Sequence, residues 1–150
     1  MIIIDFYNLV TGQIRTICKE ERCEPTLDIV RTISINSILY NIQKQKQYHD
    51  DVVIAFDTKK NWRTTVFPNY KLNRLKQRKD DFDYSLFYES LEAIKIELKS
   101  VMPYKCIEVE GAEADDIISI VARGFATKYG NVCIVSLRQP NTPNLSLIHI

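Results

Sequence analysis

The chain has 150 residues, of which 45% are hydrophobic and 26% charged, and its formal net charge is +1. These values are typical of one globular domain with an apolar core, and they exclude a low-complexity or disordered chain. No apolar run approaches the ~20 residues of a membrane span, and the start Met-Ile-Ile-Ile-Asp lacks the basic segment of a signal peptide. We therefore expect a cytoplasmic protein with reduced cysteines.

Short apolar runs and helical spacings alternate along the chain. In chain order they predict a strand at 1–6, a helix at 25–48, a strand at 51–57, an aperiodic segment at 58–79, a helix at 85–101, a strand at 105–109, a helix at 113–128 and a strand at 131–135. Such alternation predicts an α/β fold with a mostly parallel sheet flanked by helices. Ligands of such sheets bind beyond the carboxyl ends of the strands.

Two aspartates stand at predicted strand ends, Asp5 after the first strand and Asp57 after the second. Either could simply cap the loop or helix that follows, and for one aspartate alone the two interpretations are about equally good. Because the carboxyl ends of parallel strands share one edge, the pair also indicates a common site.

A third acidic element, Glu113-Ala114-Asp115-Asp116, opens the helix predicted at 113–128. Acidic residues favour helix N-termini, which accounts for one or two of the three carboxylates. The third adds repulsion between like charges, and a hard cation would offset it. Mg²⁺ and Mn²⁺ prefer such oxygen ligands.

The aperiodic segment 58–79 is strongly basic and contains no Asp or Glu. Its cations are Lys59, Lys60, Arg63, Lys71, Arg74, Lys76, Arg78 and Lys79, and its aromatic residues are Trp62, Phe67 and Tyr70. A charge run is often only solvated surface. The unbalanced sign and the interleaved aromatic rings favour nucleic acid, since cations neutralise phosphates and rings stack on bases.

Four segments together resemble the 5′-nuclease family, which includes flap endonucleases, the 5′-nuclease domains of bacterial DNA polymerases and bacteriophage RNase H relatives. They are Ile3-Ile4-Asp5-Phe6, Ile54-Ala55-Phe56-Asp57, the segment 67–74 and Glu113-Ala114-Asp115-Asp116. The stretch Met102-Pro103-Tyr104 looks most similar to the bacteriophage RNase H branch, so we expect a phage-encoded protein. The resemblance covers residues 1–136, the N-terminal part of a longer family protein.

The resemblance implies a PIN-like (resolvase-like) three-layer fold and a metal-dependent 5′-3′ exonuclease or flap endonuclease that acts in primer removal, replication or repair. It implies two divalent ions, Mg²⁺ or Mn²⁺, held by Asp5, Asp57, Glu113, Asp115 and Asp116. It implies catalytic phosphate contacts for Lys71 and Arg74. Nucleic-acid contacts are expected from Arg63, Tyr70, Lys71, Arg74, Lys76 and Arg78. The expected partners of a monomer are DNA and RNA–DNA hybrids with 5′ ends or flaps, together with replication proteins, and no membrane.

One departure from the family pattern follows the fourth predicted strand. The family carries Ser-x-Asp-x-Asp there, which supplies ligands of the second metal, whereas Ser136 is followed here by Leu137-Arg138-Gln139-Pro140. We therefore expect an incomplete catalytic domain over 1–136, an unstructured or aberrant tail over 137–150, and little nuclease activity from this chain alone.

Two other functions remain open on the sequence. A non-catalytic nucleic-acid-binding module of the same fold would keep the basic segment without the second set of carboxylates. A receiver-like signalling domain also gathers acidic residues around Mg²⁺ at strand ends. The basic segment and the helix-borne Glu-Ala-Asp-Asp argue against the receiver.

Overall fold

A computed structural model describes residues 1–46, 51–71, 82–137 and 145–149. The elements are β1 (Ile2–Asp5), α1 (Phe6–Glu21), α2 (Leu27–Gln45), β2 (Val52–Phe56), α3 (Trp62–Val66), α4 (Tyr84–Val101), β3 (Lys105–Glu108), α5 (Ala114–Tyr129), β4 (Cys133–Leu137) and β5 (Leu145–His149). Within these ranges, no helix has the length and apolar character needed to cross a membrane.

The strands form one sheet in the order β3-β2-β1-β4-β5. β1 lies between β2 and β4 and pairs with both in parallel, with Ile2 opposite Val52 on one side and Cys133 on the other. β3 continues the parallel sheet beyond β2, and β5 runs antiparallel to β4. The predicted α/β fold with a mostly parallel sheet is confirmed, and the residues after β1 and β2 lie at its carboxyl edge.

The central strand sends its side chains into two separate cores, because successive residues of a strand point to opposite faces. Ile2 and Ile4 pack among residues of α1, α2 and α4, whereas Ile3 packs with Val53 and residues of α5. All three isoleucines are fully buried. Helices therefore cover both faces of the sheet, which is the three-layer arrangement that the family resemblance implies.

The predicted elements leave residues 7–24 unassigned, whereas Phe6–Glu21 forms helix α1 directly after β1. Its buried residues recur at spacings that fit one helical face: Phe6, Leu9, Val10, Ile14 and Cys18. The periodic signal for this helix is thus present in the sequence. Because no loop separates β1 from α1, Asp5 is both the end of a strand and the N-cap of a helix.

The other helices agree with the prediction except at their ends. The helix predicted at 25–48 spans Leu27–Gln45, and its last two predicted residues lie outside the described ones. The helix predicted at 113–128 spans Ala114–Tyr129 and ends at Gly130, whose φ of 86° suits a residue without a Cβ. The basic segment contains the short helix Trp62–Val66, and its residues 72–79 lie outside the described ranges.

Residues 145–149 differ from the expectation of an unstructured tail. They form β5, which pairs with β4 from Leu137 opposite Leu145 to Cys133 opposite His149. The exposed edge of β4 would otherwise present unpaired backbone groups, and β5 satisfies them. The expectation is therefore wrong for these five residues. The domain boundary at residue 136 and the aberrant origin of the tail stay predictions.

The packing of α4 can be tested with two apolar residues of that helix. Leu91 is fully buried, whereas Ile96 is 61% exposed. Leu91→Ala should lower the free energy of unfolding by roughly 2–5 kcal/mol, because it leaves a cavity in the core. Ile96→Ala should change it by no more than about 0.5 kcal/mol. Urea denaturation measures both, and equal losses would contradict the described orientation of α4.

Candidate functional site

Asp5 is a buried carboxylate at the carboxyl edge of the sheet. Its Oδ1 accepts a hydrogen bond of 3.2 Å from the backbone N–H of Asn8, so it caps α1. Burial raises its pKa to about 6, hydrogen bonds from Asn8 oppose that shift, and the negative charges of Asp57 and Asp115 add to it. The capping interpretation of Asp5 is therefore correct, but the cap leaves a carboxylate that is costly to ionise in the fold.

Asp57 lies one strand away, immediately after β2. Its Oδ1 accepts a 2.6 Å hydrogen bond from the backbone N–H of Ala114, the first residue of α5. Burial raises its pKa, the Ala114 hydrogen bond and the charge of Lys71 lower it, and the charges of Glu113 and Asp115 raise it further. Asp57 thus joins the end of β2 to the start of α5. It also interacts with the charge of Asp115, as Asp5 does.

Glu113 is the N-cap of α5 and is only 5% exposed. Its carboxylate receives four donors from the basic segment. Oε1 accepts from Lys71 Nζ at 2.7 Å and from Asn61 Nδ2 at 3.1 Å. Oε2 accepts from the Tyr70 hydroxyl at 3.0 Å and lies 3.0 Å from Arg63 Nη1. This buried anion is therefore neutralised by the chain itself.

Asp116 is held by Arg63 in a two-pronged ion pair. Arg63 Nη1 and Nη2 each donate to one carboxylate oxygen at 2.7 Å, and Trp62 Nε1 donates to Oδ2 at 3.2 Å. Oδ2 also accepts from the backbone N–H of Glu113 at 3.0 Å, which caps the helix. The Arg63 hydrogen bonds hold the pKa of Asp116 well below its usual range. Two parallel hydrogen bonds from one guanidinium orient the carboxylate as well as neutralise its charge.

Backbone contacts place α3 beside the start of α5. Trp62 N–H donates to Gly111 O at 2.8 Å, and Thr58 Oγ1 donates to Ala112 O at 2.9 Å. Asn61 forms a parallel bridge with Gly111, whose φ is +80°. A residue with a Cβ would be strained in that backbone conformation, so glycine suits the turn that brings these segments together.

The five predicted carboxylates therefore divide into two sets. Asp5 and Asp57 are linked through their charges with Asp115, whose side chain is exposed. Glu113 and Asp116 are ion-paired with Arg63 and Lys71. Among the residues that the structure describes, no three His, Cys, Asp or Glu side chains form a group that would hold a metal ion as they stand. The metal-ligand roles stay predictions.

The first set nevertheless fits a hard divalent cation in its chemistry. Its donors are carboxylate oxygens, which Mg²⁺ and Mn²⁺ prefer. Burial and the nearby charges of Asp57 and Asp115 raise the pKa of Asp5, so the fold gathers carboxylates there whose negative charge a cation would offset. The second set fits one only after its ion pairs are exchanged.

Two residues of this edge carry polar contacts that the motifs do not reveal. Asn8 Nδ2 donates to Ser136 Oγ at 2.6 Å, and Ser136 Oγ lies 3.4 Å from Asp5 Oδ2. Asn8 follows Asp5 by three residues on α1, so recognising α1 would have placed it at the site. Ser136 comes from β4, the neighbour of β1, and its contact depends on strand order.

The predicted nucleic-acid contacts are only partly described. Arg63, Tyr70 and Lys71 all meet the carboxylates of Glu113 or Asp116. Lys71 has a φ of +59°, a left-handed conformation that costs a residue with a Cβ about 1–2 kcal/mol. The other three predicted residues, Arg74, Lys76 and Arg78, lie outside the described residues.

Residues 4–138 match the family described as 5′-3′ exonuclease, N-terminal resolvase-like domain. Ribonuclease H of Enterobacteria phage T4 is 32% identical over 114 residues, which are 73% of this chain and 37% of the relative. The 5′-3′ exonuclease of Buchnera aphidicola subsp. Schizaphis graminum is 32% identical over 118 residues, 75% of this chain and 38% of the relative. The chain thus spans less than two fifths of these curated relatives.

Solved structures of a phage T5 protein share the fold. The T5 D15 protein co-crystallised with metal ions superposes with a TM-score of 0.66 at 18% identity, covering 92% of this chain and 49% of the T5 chain. The T5 5′-exonuclease with bound zinc gives the same TM-score at 19% identity, covering 91% and 48%. These superpositions confirm the fold of this chain, and they cover about half the length of the T5 protein.

The raised pKa of Asp5 predicts a stability difference that depends on pH. Its value of about 6 exceeds the ordinary 3.8, so the folded chain holds the proton more tightly than the unfolded chain. Stability from this group is present below pH 4 and is lost as pH rises through 6. Asp5→Asn keeps a good N-cap and should be more stable than the parent at pH 7.5 by up to about 3 kcal/mol.

Urea denaturation in a chelating buffer at pH 4 and pH 7.5 measures this difference, which should nearly vanish at pH 4. Asp83→Asn is the matched control. Asp83 is also an N-cap, accepting from Leu86 N–H at 2.9 Å, but its side chain is exposed. We expect its substitution to have the same small effect at both pH values. A pH-independent effect of Asp5→Asn would contradict the description of Asp5 as a buried anion.

Proposed function

This chain belongs to the 5′-3′ exonuclease family, and from that membership we propose that it forms the core of a metal-dependent 5′-3′ exonuclease or flap endonuclease. The proposed reaction is hydrolysis of phosphodiesters. The proposed substrates are DNA and RNA–DNA hybrids with 5′ ends or flaps, as met in primer removal, replication or repair.

The observation that carries this proposal is the contact between the basic segment and the acidic edge of the sheet. Arg63 and Lys71 reach the carboxylates that open α5, beside Asp5 and Asp57. Phosphodiester hydrolysis needs cationic groups for the phosphate and oxygen donors for a metal ion within a few ångströms of each other. Both kinds of group meet at this edge of the sheet.

The carboxylates supply the proposed metal ligands. Asp5, Asp57 and Asp115 would hold one hard cation, Mg²⁺ or Mn²⁺, and Glu113 and Asp116 would join them once freed from their ion pairs. The bound ion would activate the attacking water, and a second ion would stabilise the leaving oxygen. Asn8 would keep Asp5 oriented, because it donates to Asp5 through its backbone N–H.

The basic segment supplies the proposed substrate contacts. Lys71 and Arg74 would offset the charge that builds on the phosphate in the transition state. Trp62 and Phe67 are 50% and 64% exposed, although large aromatic side chains favour burial. Their exposed surfaces suit stacking against unpaired bases, which is worth roughly 1–3 kcal/mol per base.

Turnover by the 150 residues themselves should be weak. Two-metal hydrolysis places the ions about 3.5–4 Å apart, and the second ion needs its own carboxylates. The family pattern has two aspartates after the serine of β4, whereas Ser136 is followed by Leu137, Arg138 and Gln139. An arginine there also repels a cation. We propose that this chain binds one ion well and a second poorly.

A non-catalytic nucleic-acid-binding module is the second candidate. It is favoured by the same sequence at 137–139 and by the neutralised state of Glu113 and Asp116. Both candidates predict binding of nucleic acid, and only the nuclease predicts a bond broken in the presence of a divalent cation.

Metal binding should stabilise the fold by mass action. Mg²⁺ at ten times its Kd adds about 1.4 kcal/mol, which raises Tm by roughly 3–5 °C in a domain of this size. Asp57→Asn should remove most of this increment. Asp28→Asn, which neutralises an exposed carboxylate in the first turn of α2, should leave it intact. Thermal denaturation with and without Mg²⁺ or Mn²⁺ measures it, and an unchanged Tm would argue against the metal site.

Cleavage and binding of a 5′-flap DNA duplex test the function itself. The chain should cleave slowly with Mg²⁺ or Mn²⁺, and Asp57→Asn should abolish cleavage while DNA binding persists. Joint replacement of Lys71 and Arg74 by Ala should weaken binding to all sequences and flatten its salt dependence by about two phosphates' worth. Replacing Lys19 and Lys44, exposed lysines of α1 and α2, makes the same charge change and should leave the slope unaltered.

The outcomes separate the two candidates. Binding whose salt slope depends on Lys71 and Arg74, without any metal-dependent cleavage, would favour the binding module. Cleavage as fast as that of a full-length relative would contradict the proposed weakness of the second ion site. A slope that is unaltered in the Lys71 and Arg74 variant would place the nucleic-acid surface elsewhere.

A further inference from the structure

Arg63 makes more contacts with the acidic edge than a surface arginine needs for a simple ion pair. Its guanidinium bonds both oxygens of Asp116 at 2.7 Å and lies 3.0 Å from Glu113 Oε2. Its central carbon also lies over the Trp62 ring, 4.6 Å from the centroid. One monovalent side chain thus bridges two carboxylates that the family resemblance assigns to metal.

We propose that Arg63 is an internal counter-ion that occupies Glu113 and Asp116 in the metal-free chain, and that a divalent cation displaces it. This inference rests on the proposed function, since it needs a cation site at these carboxylates. Displacement frees the guanidinium, whose fork matches a phosphate as well as it matches a carboxylate. Metal binding would therefore prepare α3 for nucleic acid.

Arg63 and a divalent cation compete for the same carboxylate oxygens. The oxygens that Arg63 contacts on Asp116 are the ones a cation would bind, and a second positive charge at the same oxygens would be repelled. The ion pair is also reachable from solvent, since the side chains of Arg63 and Asp116 are 24% and 25% exposed. Removal of a competing cation should then strengthen divalent binding.

The helix that carries Arg63 has few apolar contacts with the rest of the domain. α3 has five residues and none of them is buried. Val66 and Phe67 are 59% and 64% exposed, so few apolar contacts hold this segment down. Its docking depends on polar contacts, which are the backbone hydrogen bond of Trp62 to Gly111, the Arg63 ion pairs and the Trp62 side-chain hydrogen bond to Asp116. Segments with few apolar contacts open at low free-energy cost.

Trp62 is the chain's single tryptophan, and it reports on this exchange directly. In the docked state its indole N–H donates to Asp116 and its ring lies against the Arg63 guanidinium. Both contacts end if a cation takes Asp116. The emission spectrum and the acrylamide quenching of Trp62 should therefore change as Mg²⁺ or Ca²⁺, neither of which absorbs light, is titrated into the protein alone.

The decisive variant is Arg63→Gln, studied by calorimetric titration with Mg²⁺ and by Trp62 fluorescence. Its Kd for Mg²⁺ should be at least about fivefold lower than that of the parent, the low end of coupling between competing ligands. Its emission without metal should already match the metal-bound parent. Arg63→Lys keeps the charge but loses the fork, and should tighten binding to a smaller extent.

Two controls separate displacement from a general charge effect. Lys60→Gln removes an exposed positive charge from the same segment. Arg31→Gln breaks another two-pronged pair, that of Arg31 with Glu97 between α2 and α4. Neither should change the Kd for Mg²⁺ by more than about twofold, a small fraction of a typical coupling. If Lys60→Gln tightens binding as much as Arg63→Gln, displacement of Arg63 is wrong.

The failure of this inference differs from the failure of the proposed function. Mg²⁺ binding by the parent that depends on Asp57 but is unchanged or weakened in Arg63→Gln would overturn the counter-ion role and leave the nuclease proposal standing. No binding by either the parent or Arg63→Gln would overturn both. Should Arg63→Gln not fold, a tighter Kd in Arg63→Lys supports displacement and an equal or weaker one overturns it.

Discussion

Repulsion among carboxylates is the constraint on which the carboxyl edge of the sheet depends. Parallel strands bring Asp5 and Asp57 to the same edge, and α5 begins there with three more acidic side chains. The fold treats these carboxylates in two ways. Burial, together with the charges of Asp57 and Asp115, raises the pKa of Asp5 to about 6, whereas donors from another segment surround Glu113.

The buried carboxylate and the ion-paired carboxylate have different physical consequences. The charged form of a buried carboxylate is destabilised when no cation is bound, and a cation from solution can offset that cost. A carboxylate already paired with arginine has no such cost until the arginine leaves. Glu113 and Asp116 are thus occupied by ion pairs, whereas Asp5 and Asp57 could accept a cation from solution. The pairing groups belong to the basic segment, whose charge suits nucleic acid. Under the proposed function, contact with substrate and contact with metal would therefore depend on each other.

The strands and the edge where they end could be predicted from the sequence, because buried parallel strands are apolar runs of limited length. Asp5 and Asp57 lie at that edge because Asp5 ends one such run and Asp57 directly follows another. Capping and a place at the edge are compatible for Asp5, since its carboxylate caps α1 and also lies near Asp57. Helix α1 carries a periodic pattern of its own, but it follows β1 without a loop, so no turn signal marks where it begins.

The pairing of charges could not be predicted, since it depends on contacts between distant segments. Arg63 meets Asp116 because Trp62 bonds to Gly111 through the backbone, and nothing in the charge run identifies Gly111. The basic run predicts a nucleic-acid surface, but residues of the same run are also the counter-ions of the carboxylates that open α5. The contact of Ser136 with Asp5 likewise follows from β4 lying beside β1.

The central place of β1 has a consequence for the growing chain on the ribosome. Ile2, Ile3 and Ile4 are made before their hydrogen-bonding neighbours, which are residues 52–54 on one side and 133–135 on the other. At about 5–20 residues per second, the second neighbour is made roughly 6–26 s after the first strand. Throughout that interval an apolar strand has an open edge, which is the kind of segment that chaperones bind and that aggregates when left alone.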